Sequence, residues 1–570
     1  MNVIEKKSAF KNKFFALEFK EGDIALRLKI KELEAKDFAK KLWSKDTHIW
    51  TEDKAVQLTI RNRLGWLDAP MIAKSLVPEI KEFATSTVRE QFGYVVLLGM
   101  GGSSLAPDLF SKIFPRPKGY PKLIVLDSTD PAAVKHVLDS INLSKSLFIV
   151  SSKSGSTIET ESFYLYFYDI LKRKFGAEKA GKQFVAITDP GSSLEKLAHE
   201  NGFRKTFLAP EDVGGRYSAL TYFGLVPAAL MGIDIEKLVE RSLKSVEETG
   251  SDVPLAENPA FIFGVAMAQA EKIGRNKLTL VSPPMLEPLG DWVEQLVAES
   301  TGKQGKGVVP IVSEPEAPLA FYDKDRFFVF TRMRSAKGNP ERKRQKELLE
   351  KGGHPSAEIE MNDPYDIGAL FFFWEMATVV AGICLAIDPF DEPNVSESKQ
   401  ATKTILAEYA TKKRLKEDAD VHELSKASEL KAGLGKIFEA IKPGDYAVFM
   451  LFLQPSENVK KILSRARVAL LKNKKITSTV GFGPRFLHST GQLHKGGPTN
   501  GIFIQLDHAS PKDAVVPGKP YSFEILKRAQ ALGDYKSLKN KGRRVIRIVL
   551  KGNLQTTLTQ FTKIFIQALG

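Results

Sequence analysis

The chain has 570 residues, 43% hydrophobic and 26% charged, which is an ordinary composition for a protein of three or four globular units. Its 83 basic and 68 acidic residues leave a formal net charge of +15, but the basic residues are scattered, which favours solvated surface over a nucleic-acid site. The single cysteine, Cys384, excludes an intrachain disulfide. Together with the charged residues Glu5 to Lys7 near the start, it favours a reducing cytoplasm over secretion.

The first sixty residues are charged and weakly patterned, and they predict an N-terminal helical segment over residues 1–60. A different rhythm begins near Tyr94, where short apolar runs alternate with segments able to form helices. Such runs predict a parallel sheet covered on both faces, in a first domain over residues 61–250. The predicted strands are Tyr94 to Leu98, Leu123 to Leu126, Leu147 to Val150 and Phe184 to Ile187.

The same alternation returns twice, which predicts a second domain over residues 251–400 and a C-terminal α/β segment over residues 401–570. The apolar run from Ile367 to Ile387 is long enough to cross a bilayer, but Glu375 interrupts it, so a buried helix is favoured over a membrane span. The further predicted strands are Leu278 to Val281, Arg326 to Thr331, Ala357 to Glu360, Ala447 to Leu453, Gly501 to Leu506 and Val545 to Leu550.

Two strands of the first domain end in motifs suited to an anion. The first is followed by residues 99–104, Gly-Met-Gly-Gly-Ser-Ser, which form either a tight capped turn or a close approach to a ligand. Residues 151–157, Ser-Ser-Lys-Ser-Gly-Ser-Thr, combine hydroxyls, a lysine and free N–H groups before a helix. A phosphate needs that combination, so we favour a phosphate site over a serine-rich linker.

Three later motifs carry charges suited to acid–base chemistry. Gly214 and Gly215 precede Arg216, which is either a surface residue or a fixed cation for a developing oxyanion. Glu299 lies just before the helix-ending Gly302 and is of interest only if it shares a pocket with that arginine. The stretch 388–399, Asp-Pro-Phe-Asp-Glu-Pro-Asn and onward to a lysine, either ends a helix or places charges for proton transfer.

Taken in this order, residues 93–399 resemble glucose-6-phosphate isomerases of the type built from two sugar-isomerase (SIS) domains. Residues 483–492, Gly-Pro-Arg-Phe-Leu-His-Ser-Thr-Gly-Gln, look like the branch that forms the isomerase half of transaldolase–isomerase fusions. The resemblance implies two doubly wound SIS domains with a C-terminal α/β segment. It also implies interconversion of glucose 6-phosphate and fructose 6-phosphate through a cis-enediol, in glycolysis and gluconeogenesis.

The resemblance also implies roles for individual residues. Arg216 would stabilise the enediolate, Glu299 would carry the proton between C1 and C2, and His354 would open the ring with help from Lys399. The substrate-binding residues would be Gly102, Ser103, Ser152, Lys153, Ser154, Thr157 and Glu392. Glu392 departs from the glutamine of the family pattern, and the residues around His354 differ as well. The same tail contains His488 and His494, to which we assign no catalytic role from the sequence.

Several alternatives stay open at this level. An isomerase that also accepts mannose 6-phosphate has the same motifs, and so does a phosphosugar-binding regulator, although a pure sensor needs no base such as Glu299. No metal-ligand spacing is present in the sequence, so neither a metal nor another cofactor is expected. The partners expected are a phosphosugar and a second copy of the chain in a homodimer, without nucleic acid or membrane.

Overall fold

A computed structural model of the protein describes residues 9–11, 14–334, 340–416, 421–510 and 512–570. Helices and strands alternate through these residues and build three separate β-sheets. The α/β class predicted from the sequence is confirmed.

The described part of the N-terminal region differs from the helical segment predicted for residues 1–60, because two strands precede its helices. Phe15, Leu17 and Phe19 are buried at alternate positions, and this period of two suits a strand that covers a sheet edge. The elements are β1 (Ala9–Lys11), β2 (Phe15–Glu18), α1 (Asp23–Ala35), α2 (Phe38–Trp43), α3 (Lys54–Arg61) and α4 (Ala69–Arg89).

The first sheet has five parallel strands, most of them buried on both faces. Its elements are β3 (Tyr94–Gly99), α5 (Leu105–Ile113), β4 (Lys122–Leu126), α6 (Pro131–Ser140), β5 (Ser146–Ser151), α7 (Ile158–Phe175), α8 (Ala177–Gly181), β6 (Phe184–Thr188), α9 (Ser193–Glu200), β7 (Lys205–Leu208), α10 (Tyr222–Leu230) and α11 (Ile235–Glu248). The strand order is β4-β3-β5-β6-β7, so the strands after β3 are added first on one side of it, as β4, and then on the other side, from β5 onward. Ligands of open α/β sheets bind at the carboxyl ends of the strands at such a point.

The second sheet has the order β1-β2-β11-β10-β8-β9, with the two N-terminal strands added antiparallel at one edge. Its elements are α12 (Pro259–Lys272), β8 (Lys277–Val281), α13 (Glu287–Thr301), β9 (Val309–Ile311), β10 (Arg326–Met333), α14 (Pro340–Lys351), β11 (Ser356–Met361), α15 (Ile367–Cys384) and α16 (Pro393–Lys412). As in the first sheet, the first parallel strand lies between its two successors.

A third unit, residues 421–570, repeats this arrangement with β13 between β14 and β15. Its elements are β12 (Val421–Glu423), α17 (Ala427–Glu439), β13 (Tyr446–Phe452), α18 (Glu457–Lys474), β14 (Thr477–Phe482), α19 (Gly491–Gly496), β15 (Gly501–His508), α20 (Phe523–Asn540), β16 (Arg544–Leu550) and α21 (Leu554–Ala568). Its sheet is wholly parallel, in the order β12-β16-β15-β13-β14.

The apolar helix α15 lies in the protein core, as the sequence predicted. It packs against α11, α12 and α13, and Phe263 makes an edge contact with Trp374 at 5.1 Å. Among the described residues it is the one helix long and apolar enough to cross a membrane, but nearly all of that stretch is buried within the protein. Glu375 is fully buried, and burial raises its pKa well above the usual value, which favours the neutral acid inside the helix bundle.

Candidate active site

A buried arginine joins the region after the first sheet to helix α13 and the 388–394 loop. The Arg216 side chain donates from Nε to Ser300 Oγ at 2.8 Å, and from Nη2 to two carbonyl groups of the 388–394 loop at 2.7 and 3.1 Å. Its Nη1 lies 3.1 Å from Glu299 Oε1 and 3.0 Å from Glu392 Oε2. One nitrogen of a fixed guanidinium therefore bridges two carboxylates.

Two glycine-containing turns bring this arginine to the end of β3. A Cβ on Gly102 would lie 2.0 Å from the carbonyl oxygen of Gly215, so a side chain at that position would force the two turns apart. The short 3₁₀ turn Gly215–Tyr217 then directs the Arg216 side chain inward, where only 5% of the residue is exposed. The close approach explains why the first motif needs glycine at position 102, whereas a Cβ on Gly215 would meet no atom within 4 Å.

Glu299 lies in the last turn of α13, which ends at Thr301 with Gly302 as the capping residue. The Gln295 side chain, one turn earlier, donates to Glu299 Oε2 at 3.1 Å. Burial raises the pKa of Glu299, and the Glu392 charge adds to that rise, while the neighbouring Arg216 opposes it. A carboxyl group in this environment is suited to taking up and returning a proton.

The loop of residues 388–394 supplies the second carboxylate and is held by a buried lysine. Lys303 Nζ lies 2.6 Å from Asp391 Oδ1 and donates to the Asp388 carbonyl oxygen at 2.5 Å. Burial and the Arg216 charge lower the pKa of Lys303 to about 8. Burial opposes ionisation of Glu392, but the charge and hydrogen bond of Arg216 outweigh it and lower the pKa of this carboxyl.

The hydroxyl-rich loop after β5 lies at the carboxyl edge of the first sheet and opens α7. Ser152 Oγ donates to Thr157 Oγ1 at 3.0 Å, and Ser154 Oγ lies 3.1 Å from another serine hydroxyl of the loop. The Lys153 ammonium is 2.5 Å from Asp189 Oδ2, so this lysine forms an ion pair with an aspartate outside the loop. Several short donors are thus gathered at a helix N-terminus, where an anion is stabilised.

This loop is tied to the glycine turn that follows β3. Gly99 and Ser151 are paired at the ends of adjacent parallel strands, and Ser151 Oγ donates to the Ser103 carbonyl oxygen at 3.2 Å. Residues 99–104 and 151–157 therefore form one edge of the sheet. The Gly102 turn that contacts Gly215 belongs to the same edge.

The structure does not bring His354 into this cluster. His354 precedes β11, and its ring lies edge-on to Phe328 at 5.4 Å. Burial, together with the charges of Arg275 and Arg326, lowers its pKa to about 4. None of its described contacts is with Arg216 or Glu299.

Instead, the third unit places His488 beside the glycine turn. His488 Nε2 lies 2.9 Å from Glu159 Oε1, and the His488 carbonyl oxygen accepts from Gln295 Nε2 at 2.7 Å. A Cβ on Gly101 would lie 2.7 Å from that carbonyl oxygen. His488 lies in the 483–492 motif, which resembles a branch of the family. The sequence alone assigns this histidine no catalytic role.

The charge of Lys399, the remaining predicted catalytic residue, acts on the carboxyl group of Glu159. Burial opposes ionisation of Glu159, but the adjacent His488 outweighs it and lowers the carboxyl pKa, to which the charge of Lys399 contributes. Lys399 itself is exposed on α16. Across the described ranges, no three His, Cys, Asp or Glu side chains are grouped so as to hold a metal ion.

The chain is similar to known sugar-phosphate isomerases. The family model for phosphoglucose isomerase matches residues 26–324, just over half of the chain. The glucose-6-phosphate isomerase of Carboxydothermus hydrogenoformans is 31% identical over 401 residues, which cover 61% of this chain and 85% of that protein. That of Staphylococcus epidermidis is 27% identical over 435 residues, covering 67% of this chain and 98% of that protein.

Solved structures share the fold. A hypothetical protein of Thermus thermophilus aligns with a TM-score of 0.60 and 26% identity, over 69% of this chain and 100% of that one. A glucose-6-phosphate isomerase from Chlamydia trachomatis aligns with a TM-score of 0.56 and 18% identity, over 71% of this chain and 90% of that one. The family match ends before the 388–394 loop and the third unit, so His488 lies outside it.

Proposed function

The chain belongs to the phosphoglucose isomerase family, and we propose that it interconverts glucose 6-phosphate and fructose 6-phosphate, with Glu299 as the proton carrier and Arg216 as the partner of the oxyanion. This reaction belongs to glycolysis and gluconeogenesis. The observation that carries the proposal is the 3.1 Å contact between a buried carboxylate and a fixed guanidinium, beside a turn joined to a hydroxyl-rich loop.

The chemistry requires a base and a fixed cation close together. Removing the proton from the carbon next to a carbonyl leaves negative charge on the carbonyl oxygen as the cis-enediolate forms. Glu299 takes the proton from C2 and returns it to C1 while the hydroxyl proton passes from O2 to O1, and the reverse holds for the ketose. Arg216 remains protonated at any working pH and stabilises the oxyanion without reorganisation.

We assign the phosphate group to the loop after β5. Ser152, Ser154 and Thr157 offer hydroxyl groups, and the N-terminus of α7 adds a favourable dipole. Lys153 adds charge if its ammonium turns from Asp189 to the phosphate. Gly102 and Ser103, at the end of β3, are then next to the sugar.

For ring opening we propose His488 in place of the sequence candidate His354. A histidine whose Nε2 is hydrogen-bonded to a buried carboxylate keeps Nδ1 for proton exchange with a ligand. His354 has no described contact with the cluster, whereas the His488 carbonyl group shares Gln295 with Glu299. Lys399, whose charge acts on Glu159, remains the assisting cation.

A coupled assay of the purified protein tests the function directly. We expect turnover of fructose 6-phosphate to glucose 6-phosphate, and of the reverse reaction, with the same rate before and after exhaustive chelation. Binding of either sugar phosphate without turnover would indicate a phosphosugar-binding regulator instead. Loss of activity with chelator and recovery with a divalent ion would replace Arg216 with a metal as the oxyanion partner.

The charge of Glu392 contributes, after burial and Arg216, to the pH at which Glu299 becomes an active base. Replacing Glu392 with glutamine removes a negative charge that favours protonation of Glu299, so the pKa of Glu299 should fall. Because Glu299 must be ionised to act, the acid limb of kcat/KM should move to lower pH. The pH profile of Glu392→Gln measures this shift. An unmoved limb would mean that the two carboxyl groups titrate independently.

We also propose a cytoplasmic location and a homodimer, without a nucleic-acid or membrane partner. The single cysteine supports the location, since a chain with one cysteine forms no intrachain disulfide. Light scattering of the purified protein gives the oligomeric state, and salt-dependent retention on DNA would contradict the absence of nucleic-acid binding.

A further inference from the structure

A buried side-chain amide of the third unit contacts the carboxylate of the His488–Glu159 pair. Gln530 lies on α20 and is only 2% exposed. Its Nε2 donates to Glu159 Oε1 at 2.6 Å, and its Oε1 accepts from Thr129 Oγ1 at 2.8 Å. Thr129 follows β4, so this amide links the carboxyl edge of the first sheet to the third unit.

The contacts fix which way the amide points. An ionised carboxylate can only accept, so Glu159 requires the amide nitrogen, and the Thr129 hydroxyl group then donates to the amide oxygen. Glu159 Oε1 thus accepts from both Gln530 and His488, and only 3% of Glu159 is exposed. The amide donor holds Glu159 in place, and Glu159 holds the imidazole through Nε2.

We propose that Gln530 is a positioning residue for ring opening, which acts on His488 through Glu159, so that the third unit supplies both the acid–base group and its orientation. The proposal rests on the ring-opening role of His488 given above. It assigns the third unit a part in the reaction beyond packing, because Gln530 and His488 both belong to it.

Ring opening can be measured apart from isomerisation in the Glu299→Gln background. That change removes the C1–C2 proton carrier, while protein-catalysed exchange between the anomers of glucose 6-phosphate needs only the ring-opening group. We expect Glu299→Gln protein to catalyse this exchange, as followed by NMR exchange spectroscopy. Adding Gln530→Met, which is similar in shape but cannot hydrogen-bond, should slow the exchange roughly 10- to 100-fold through misplacement of the imidazole.

A matched control is available in the same unit. Gln505 is also fully buried, and its Nε2 donates to the Ala531 carbonyl oxygen of α20 at 3.0 Å. Gln505→Met should therefore lower stability in the way that Gln530→Met does. The rate of anomer exchange should stay equal to that of the Glu299→Gln protein. An equal slowing in both variants would overturn the inference, since any damage to the third unit would then suffice.

One further variant, His488→Asn, separates this inference from the proposed function. If His488→Asn slows anomer exchange but Gln530→Met does not, the positioning role is wrong and the assignment of His488 stands. If His488→Asn leaves the exchange unchanged, both are wrong, although the isomerase activity itself is untouched by that result.

Should Gln530→Met fail to fold, Gln530→Glu gives the same test within one folded protein. The introduced carboxyl group can donate to Glu159 only while it is protonated, and it repels Glu159 when both are ionised. The exchange rate relative to the Glu299→Gln background should therefore fall as the pH rises. A ratio that does not change with pH would overturn the inference.

Discussion

Replacing Glu299 with glutamine should lower kcat for isomerisation in both directions by roughly 10²- to 10⁴-fold, as expected for loss of a positioned base. The amide keeps the size of the side chain, and its oxygen can still accept from Arg216, so the fold and the binding of sugar phosphate should persist. KM should consequently change little.

Solvent exchange of the C2 hydrogen gives a direct measurement. Glucose 6-phosphate deuterated at C2 should lose its label to water in the presence of the unmodified protein and keep it with Glu299→Gln. Glu287→Gln is the matched control, because it makes the same change in the exposed first turn of the same helix and should leave turnover unchanged. Near-normal turnover of Glu299→Gln would reject Glu299 as the proton carrier.

Much of the fold could be read from the chain, because parallel strands buried on both faces appear as continuous apolar runs. All ten predicted strands overlap strands of the structure, most within one or two residues at each end. The strands that were missed lack such a run. The strand β9 has three residues, one of them Pro310, and β14 is rich in threonine, serine and glycine. The two N-terminal strands were missed because their apolar residues were attributed to helices.

The site was only partly predictable, because some of its residues lie far apart in the sequence and meet only in the folded chain. Arg216, Glu299 and Glu392 carried motifs of their own, and the structure brings them into contact. The ring-opening histidine could not be predicted from a motif, because the residues around a single histidine do not indicate which pocket its side chain enters. His488 meets Glu159 across 329 residues of sequence, through the packing of the third unit on the first sheet.

Replacing Arg216 with lysine should lower kcat roughly 10²- to 10³-fold, the loss expected when a donor to a developing oxyanion is removed. The ammonium keeps the charge but cannot reproduce the fork that contacts two carboxylates, a serine hydroxyl and two carbonyl groups. Arg467→Lys is the matched control. That buried arginine also donates from Nε to a serine hydroxyl and from its other nitrogens to carbonyl groups, but in the third unit. It should cost stability and leave kcat unchanged.

Arg216→Met distinguishes geometry from charge in the same position. Without the guanidinium, only the Gln295 hydrogen bond and the Lys303 charge still oppose the effect of burial on Glu299. The pKa of Glu299 should therefore rise further, and the acid limb of kcat/KM should move to higher pH. Arg216→Lys should lose turnover with a much smaller movement of that limb, because a positive charge remains near the carboxylate. The two pH profiles, measured with the thermal stability of each variant, check both expectations. If the two variants had the same pH profile and either kept full turnover, the oxyanion would have to be stabilised by another group. Equal profiles with low turnover in both would confine the role of Arg216 to geometry.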